Sequence, residues 1–343
     1  MIKPIVRKIQ LTGGSTYIIS LPKSWVKEHS LKPGDEIEIR QDKQLRLILS
    51  PRSSEADERK EKIITLNCSK PDLSFVIREI ISYYMAGYSL VTVSCSKFTA
   101  DDRETIKDVI RKRLLGAEVI DENANSLMIQ FLVNEKDLSL TKSISRAFNI
   151  SYNMLRDSMD ALWEGDEELS KEISDRDDDV DRFYFYTVRQ LSLAVEYSEI
   201  LENEGYNLTQ LINIFSVAKS IERISDHSVR ILQQLSTLKK LEDKRVYDHG
   251  KTSAEFYKTS INAFFNKDGN IAHDVIKKEY DLLGSNSSIS QSILSSQVDP
   301  KKTGSLLIIM DSLRRAIRYS IDIAEATIDL LAKQNEPTAE LTD

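Results

Sequence analysis

Residues 220–231 read SIERISDHSVRI, a stretch that combines the apolar spacing of a packed helix with two acids. Apolar residues recur about every 3.5 positions within it and beyond it, which is typical of a helix in a bundle. They are Ile214, Val217, Ile221, Ile224, Ile231, Leu235 and Leu238, interrupted by Ser228. Glu222 and Asp226 are four residues apart, so they fall within one turn on the outer flank of this predicted helix. The stretch therefore predicts a helical bundle with a carboxylate pair on one flank.

The chain around this stretch is predicted to be helical from residue 135 onward, because prolines are few and the apolar periodicity persists. The predicted helices are 138–164, 166–203, 207–241, 251–266, 268–283 and 303–333, with a serine-rich loop between the last two. We therefore expect a helical domain over 135–335, followed by a flexible tail over 336–343.

Two weak internal similarities indicate that this domain is duplicated. Residues 159–173 resemble 261–275, and residues 220–231 resemble 312–323, in the same order along the chain. We therefore expect two three-helix repeats, one over 138–241 and the other over 251–333.

Residues 1–134 are predicted to form two smaller domains. Over 1–50, two alternating segments flank a TGGS turn, a short helix follows, and a hairpin with QDKQ at its tip ends the segment. A segment this small cannot build a deep core, so we expect it to pair with a second copy. After a charged linker over 51–62, strands and helices alternate over 63–134 and predict a small α/β sandwich. The fold class is thus mainly α, with an N-terminal β domain, an α/β sandwich and two helical repeats.

The charge is unevenly distributed along the chain. Residues 1–50 contain nine Lys/Arg and five Asp/Glu, so their net charge is +4. Because the whole chain has a net charge of −7, the remaining residues have a net charge of −11. A basic head on an acidic body is compatible with nucleic-acid contact at one end. Ordinary surface solvation is the alternative explanation of this excess.

Cysteine content and hydropathy indicate the compartment. Cys68 and Cys95 lack the spacing of zinc or redox motifs, so we predict two buried thiols in a reducing environment. No apolar run is long enough to span a membrane, and the first ten residues do not resemble a signal peptide. We therefore expect a cytoplasmic protein that does not insert into membranes.

A second pair of acids precedes the opening stretch. In RDDDVD, residues 176–181, Asp177 and Asp181 are again four residues apart. Two adjacent antiparallel helices that each present such a pair can place four oxygen ligands around one cation. Carboxylates without thiolates favour Mg, Mn or Fe over Zn or Cu. The alternative is a solvated face, or local ion pairs with Arg176, Arg223 or Arg230.

The second repeat carries arginines where the first carries acids. Glu222 aligns with Arg314 and Asp226 aligns with Arg318, while the apolar positions stay apolar. Positions that accept either charge are expected to be reachable by water or a counter-charge, outside the core.

The segment EGDEELSKEISDRDDDVD, followed by SIERISDHSVRI, resembles the signature of the PhoU phosphate-uptake regulators. The resemblance spans roughly 138–333 and is weaker in the second repeat. It implies a metal site at Asp177, Asp181, Glu222 and Asp226, since members of the family bind metal through acidic surface motifs. Because Arg314 and Arg318 depart from those motifs, the resemblance does not extend a metal site to the second repeat, where contact with an anion or an acidic partner is an alternative.

The segment PIVRKIQLTGGSTYIISLPKSWVKEHSLKPGDEIEI is similar to the AbrB/MazE-type (SpoVT-AbrB) swapped-hairpin DNA-binding domains. In those domains two chains interleave into one small barrel. The resemblance implies a homodimer that contacts DNA through Arg7, Lys8, Lys23 and Lys27. The TGGS loop lacks the arginine that many such domains carry there.

The combined resemblances imply a phosphate-responsive regulator that binds DNA and controls phosphate uptake or homeostasis. The alternative is an adaptor without DNA binding, which dimerises through its head and docks on a phosphate transporter ATPase or a sensor kinase. An enzyme is not expected, because no nucleophile–base arrangement and no Glu-x-x-His pair of di-iron bundles occurs in the sequence. No organic cofactor is expected either.

Overall fold

A computed structural model describes residues 4–41, 46–52, 61–70, 72–133, 138–296 and 299–333. The contacts divide these residues into two units, one containing 4–52 and the other containing 61–333. The predicted hairpin tip lies largely outside the described residues, and the predicted tail over 336–343 lies wholly outside them. The predicted linker over 51–62 is described only at its ends.

The N-terminal unit consists of two hairpins and one short helix. Its elements are β1 (Gln10–Thr12), β2 (Thr16–Ile18), α1 (Lys23–Glu28), β3 (Ile37–Gln41) and β4 (Leu47–Pro51). β1 pairs antiparallel with β2, and β3 pairs antiparallel with β4. Gly13 and Gly14 both adopt positive φ in the turn between β1 and β2, a conformation that glycine reaches without a steric penalty. The elements therefore follow the predicted order.

Large apolar side chains of this unit are exposed in the single chain. Val6 is 86% exposed, Tyr17 is 70% exposed and Ile9 is 68% exposed. Exposed apolar area of this kind favours association, because burying it removes it from water.

The first part of the second unit is a four-stranded mixed sheet with two helices. Its elements are β5 (Ile63–Cys68), α2 (Leu73–Met85), β6 (Leu90–Cys95), α3 (Ala100–Arg113), β7 (Ala117–Glu122) and β8 (Ser126–Phe131). The strand order is β5-β6-β8-β7, with β5 and β6 parallel and the other pairs antiparallel. This α/β layer matches the predicted succession of strands and helices.

The prediction of two separate thiols was wrong. Cys68 and Cys95 are register partners at the ends of the parallel strands β5 and β6, and their sulfur atoms form a disulfide. The sequence places the two residues 27 positions apart, so only the strand register brings them together.

The rest of the second unit is helical. Its main helices are α4 (Leu140–Glu164), α5 (Glu167–Asp175), α6 (Asp177–Ala194), α7 (Glu199–Glu202), α8 (Leu211–Leu232), α9 (Leu235–Leu238), α10 (Lys244–Asn266), α11 (Gly269–Lys277), α12 (Glu279–Leu294) and α13 (Pro300–Ala332). A 3₁₀ turn at Leu208–Gln210 precedes α8. The main core of the bundle lies between α4, α6, α8, α10 and α13, and a smaller one lies between α10, α11 and α13. Within the described residues, no helix has the length and apolar character needed to cross a membrane.

The two halves of the bundle repeat one local pattern. α4 and α10 each end at a residue with left-handed backbone, Gly165 in the first half and Lys267 in the second. An aspartate N-cap, Asp166 or Asp268, then begins a helix of nine residues in both halves. The next helices begin at Asp177 and Glu279, whose separation in sequence equals that between Asp166 and Asp268.

The predicted helix bounds were wrong at four places. The predicted helix 166–203 is interrupted at Arg176, and the predicted helix 268–283 is interrupted at Lys278. The predicted serine-rich loop belongs largely to α12, where Asn286 and Ile293 are buried. The helix predicted to begin at 251 begins at Lys244. Packing outweighs the low helix propensity of serine in α12.

α6 contributes to the core of the α/β layer and to the main core of the bundle. Tyr186 is fully buried in the core of the α/β layer, whereas Val180 and Leu191 are buried in the bundle. Arg189 is 5% exposed, and its Nη1 donates to the carbonyl oxygens of Tyr84 and Tyr88 at 2.8 and 2.7 Å. The α/β layer is therefore docked on the bundle through α6.

Candidate functional site

The four predicted carboxylates lie where α6 packs against α8. Asp177 and Asp181 are on the first two turns of α6, and Glu222 and Asp226 are near the middle of α8. Asp177 lies beside Ser225, whereas Tyr184, further along α6, lies 4.7 Å from Lys219, which is earlier on α8; the two helices therefore run antiparallel past each other. We call Asp177, Asp181, Glu222 and Asp226 the acid surface.

Two members of the acid surface are more buried than the sequence predicted. Asp181 is 8% exposed and Glu222 is 9% exposed. The prediction considered the outer flank of one helix, but the neighbouring helix covers that flank. Glu222 therefore lies between helices, although Arg314 occupies the aligned position of the second half.

The counter-charges of the acid surface come from Lys219 and Arg113. Lys219 Nζ donates to Oε1 of Glu222 at 2.6 Å. Arg113, at the end of α3, donates to Oδ1 of Asp178 at 2.8 Å, and its Nη1 lies 3.4 Å from Oδ2 of Asp181. The α/β layer thus contributes a residue to the site.

The arginines proposed as local partners bind elsewhere in the described residues. Arg176 pairs with Glu172 at 2.6 Å and lies 3.5 Å from Asp157. Arg230 lies 3.4 Å from Asp311, and the Arg223 guanidinium stacks over the ring of Tyr319. These three arginines therefore do not pair with the carboxylates of the acid surface.

Burial and mutual repulsion raise the pKa values of three of the acids. Burial first, and then the charge of Asp177, raises the pKa of Asp181 to about 7. Burial of the Asp226 carboxyl, followed by the charges of Glu222 and Asp177, raises its pKa to about 6, although Asp226 lies at the exposed edge. Burial also raises the pKa of Asp177, against a hydrogen bond from Ser225. A proton or a cation is thus favoured at this surface.

Two oxygen atoms of the acid surface are buried without a hydrogen-bond partner. They are Oδ1 of Asp177 and Oε2 of Glu222. Within the described part of the chain, however, no three His, Cys, Asp or Glu side chains converge closely enough to ligate one metal ion. The four acids therefore share a surface without converging on one point.

The second half of the bundle carries an internal ion pair at the corresponding place. Glu279 begins α12 as Asp177 begins α6, and Arg318 aligns with Asp226. Nη1 of Arg318 lies 3.4 Å from Oε1 of Glu279. Arg314, which aligns with Glu222, donates to Oδ1 of Asp311 at 2.5 Å. In this half, arginines on α13 therefore stand where α8 carries Glu222 and Asp226, and one of them pairs with the acid that begins α12.

The four basic residues predicted to contact DNA are all exposed. Arg7 and Lys8 lie in the extended segment before β1. Lys23 and Lys27 are one turn apart on α1. Among the described residues, none of the four forms an ion pair, so their charges are available to an anion.

Three charged residues of the site were missed by the sequence prediction. Lys219 lies three residues before Glu222, a helical spacing that could have identified it. Asp178 was part of the quoted RDDDVD motif, but its partner was not predicted. Arg113 is 65 residues from Asp178 in sequence, so no local pattern connects them.

The fold and the acid surface define a class of protein: a helical bundle of two related halves, one of which carries a buried carboxylate surface. Residues 144–235 match the family model of the PhoU domain, and residues 10–57 match that of the antidote-toxin recognition MazE, bacterial antitoxin, family. The first range contains all four residues of the acid surface. Both resemblances drawn from the sequence are thereby confirmed.

One curated relative is the phosphate-specific transport system accessory protein PhoU homolog of Clostridium acetobutylicum. It is 29% identical over 142 residues, which are 41% of this chain and 60% of the relative. The chain thus spans about 60% of that relative's length.

Two solved structures are similar to part of this chain. The phosphate transport system regulatory protein PhoU from Streptococcus pneumoniae has a TM-score of 0.48 and 19% identity, over 59% of this chain and 96% of its own. PhoU from Pseudomonas aeruginosa has a TM-score of 0.43 and 12% identity, over 57% of this chain and 96% of its own.

Proposed function

We propose that this protein regulates phosphate transport, with a helical body that binds a cation and a head that dimerises and binds DNA. The observation that carries the proposal is the acid surface between α6 and α8, inside the range that matches the PhoU domain. The name of the Clostridium acetobutylicum relative supports phosphate transport as the process.

The donor atoms of the acid surface suit a hard divalent or iron-type cation, which would have to draw the carboxylates closer together than they lie in the described residues. The unpartnered oxygen atoms of Asp177 and Glu222 are carboxylate oxygens, the donors that Mg²⁺, Mn²⁺ and iron accept. Asp181 and Asp226 would complete the ligand set. The cation would supply positive charge that relieves the repulsion among the carboxylates.

The metal content of the purified protein tests this part of the proposal. We expect bound metal in the wild-type protein and little in a Glu222→Gln/Asp226→Asn double variant. Glu279→Gln is the control, because it removes an acid of the second half, the counterpart of Asp177, outside the proposed site. Equal metal in wild type and double variant would contradict the proposed site.

The head is proposed to form a homodimer that binds DNA through Arg7, Lys8, Lys23 and Lys27. Its exposed apolar side chains support pairing with a second copy, and pairing doubles the number of basic residues that can face phosphates. Each phosphate contact releases counterions, so the affinity should fall steeply with salt.

A gel-shift series against salt tests DNA binding. We expect binding at low salt that weakens as salt rises, and weaker binding by Arg7→Ala. Arg52→Ala is the control, because Arg52 is engaged by Glu36 at 2.7 Å. Binding that Arg7→Ala leaves unchanged would contradict the assigned contacts.

The alternative function is an adaptor that dimerises through its head and docks on a transporter ATPase or a sensor kinase. The observation that favours it is the turn at Thr12–Ser15, which offers backbone and hydroxyl groups but no basic side chain. Affinity purification from phosphate-replete cells separates the two functions. Transporter subunits without DNA enrichment would support the adaptor, whereas enriched DNA fragments would support the DNA-binding regulator.

A further inference from the structure

Arg113 connects the α/β layer to the acid surface. It is the last residue of α3, and it reaches Asp178 at 2.8 Å and Asp181 at 3.4 Å. Its side chain is 41% exposed, whereas that of Asp181 is 12% exposed. The guanidinium of Arg113, from the α/β layer, therefore contacts a nearly buried carboxylate of the helical bundle.

The backbone that carries Arg113 is held in place by its neighbours. Leu114 is 1% exposed in the core of the α/β layer. Gly116 has a φ of +70°, and a Cβ atom there would lie 2.8 Å from Cβ of Val133. Because α3 also packs against α6, the ion pairs of Arg113 add to the contacts that hold the end of α3 on the bundle.

The charges around Arg113 are unbalanced. Five carboxyl groups, those of the acid surface and Asp178, face the two cations Arg113 and Lys219, so the formal net charge with every carboxyl ionised is −3. Lys219 pairs with Glu222, so among the described residues Asp181 pairs only with Arg113. The positive charge of Arg113 opposes the rise in the pKa values of Asp177, Asp181 and Asp226. Its influence thus extends beyond the two carboxylates that it contacts.

We propose that Arg113 competes with a bound cation for Asp181, so that cation binding and the docking of the end of α3 oppose each other. The inference rests on the proposed cation site. A cation that takes Oδ2 of Asp181 removes the acceptor 3.4 Å from Arg113 and leaves Asp178 as its partner. Because linkage is reciprocal, anything that holds Arg113 on Asp181 also weakens cation binding. The α/β layer is then the part of the protein that senses whether the site is filled.

Titration with Mn²⁺ alone, followed by the electron paramagnetic resonance of free Mn²⁺, tests the competition. We expect Arg113→Ala to bind Mn²⁺ about tenfold more tightly than wild type, within the usual range of coupling between sites. Arg113→Lys keeps the positive charge but loses the paired N–H donors of the guanidinium. Its affinity for Mn²⁺ should lie between those of wild type and Arg113→Ala. The matched control is Arg111→Ala on the same helix, because Arg111 is exposed and has no described contact with these acids.

Hydrogen exchange of residues 105–115 provides a second readout. In wild type, Mn²⁺ should accelerate exchange at the end of α3, and in Arg113→Ala it should have no such effect. Equal Mn²⁺ affinity in wild type and Arg113→Ala would overturn the competition and leave the cation site standing. Absence of Mn²⁺ binding in both would overturn the cation site and the inference together.

Discussion

The docking of the α/β layer on the bundle depends on Arg189, and its replacement gives a prediction that can be worked out from the structure. Arg189 is 5% exposed and donates to the carbonyls of Tyr84 and Tyr88, while its guanidinium carbon lies 5.1 Å from the centroid of the Tyr84 ring. Arg189→Met keeps most of the apolar volume and removes all the N–H donors. Tyr84 O still accepts from the backbone N–H of Gly87, so the Tyr88 carbonyl bears most of the loss.

The expected cost of Arg189→Met is about 3 kcal/mol in the free energy of unfolding. About 2 kcal/mol comes from the buried carbonyl that loses its donor, and about 1 kcal/mol from the stacking of the guanidinium on Tyr84. Urea unfolding followed by far-UV circular dichroism measures the total. Hydrogen exchange of residues 83–90 shows whether the loss is local to the docking site.

Arg146→Met is the matched control for this measurement. Arg146 is exposed and stacks over Phe183 at 5.8 Å, so we expect a loss of less than about 1 kcal/mol. A loss for Arg189→Met no larger than that of the control, with unchanged exchange at 83–90, would refute the claim that Arg189 docks the layer.

Two further predictions concern the helical body. Burial lowers the pKa of His249 below its usual 6.5, so the unfolded chain takes up this proton first and the contribution of His249 to stability falls as the pH drops below about 6.5. His249→Gln should remove this contribution, so the stability of the variant relative to wild type should rise as the pH falls from 8 to 5 in urea titrations; a difference that does not change with pH would contradict it. Gly165→Ala should cost about 2 kcal/mol in the same assay, because φ is +78° and the new Cβ would lie 2.7 Å from Lys239 O. An unchanged free energy of unfolding in Gly165→Ala would contradict this prediction.

Periodicity was sufficient to predict what lies along one helix. The apolar edge of α8 and the spacing of Glu222 and Asp226 follow from helical geometry alone, and the predicted residues from Ile214 to Ile231 are buried in the bundle. The duplicated order of helices was also predictable, because the junctions at Asp166 and Asp268 repeat a local N-cap.

What lies between elements could not be predicted from one sequence. The burial of Glu222 depends on the helix packed beside it, and the contact of Arg113 with Asp181 depends on the docking of an entire layer. The pairing of Cys68 with Cys95 likewise depends on the register of two strands. Each of these needs long-range contacts that periodicity does not encode.

Binding of Mn²⁺ to the wild-type protein and to Glu222→Gln/Asp226→Asn, measured by isothermal titration calorimetry, is the most direct test of the central claim. The claim is that carboxylates from α6 and α8 form one cation site. We expect saturable binding in wild type and at least about a hundredfold loss in the double variant, since ligand removal should exceed the effect of losing a supporting residue. The same affinity in both proteins would contradict the claim.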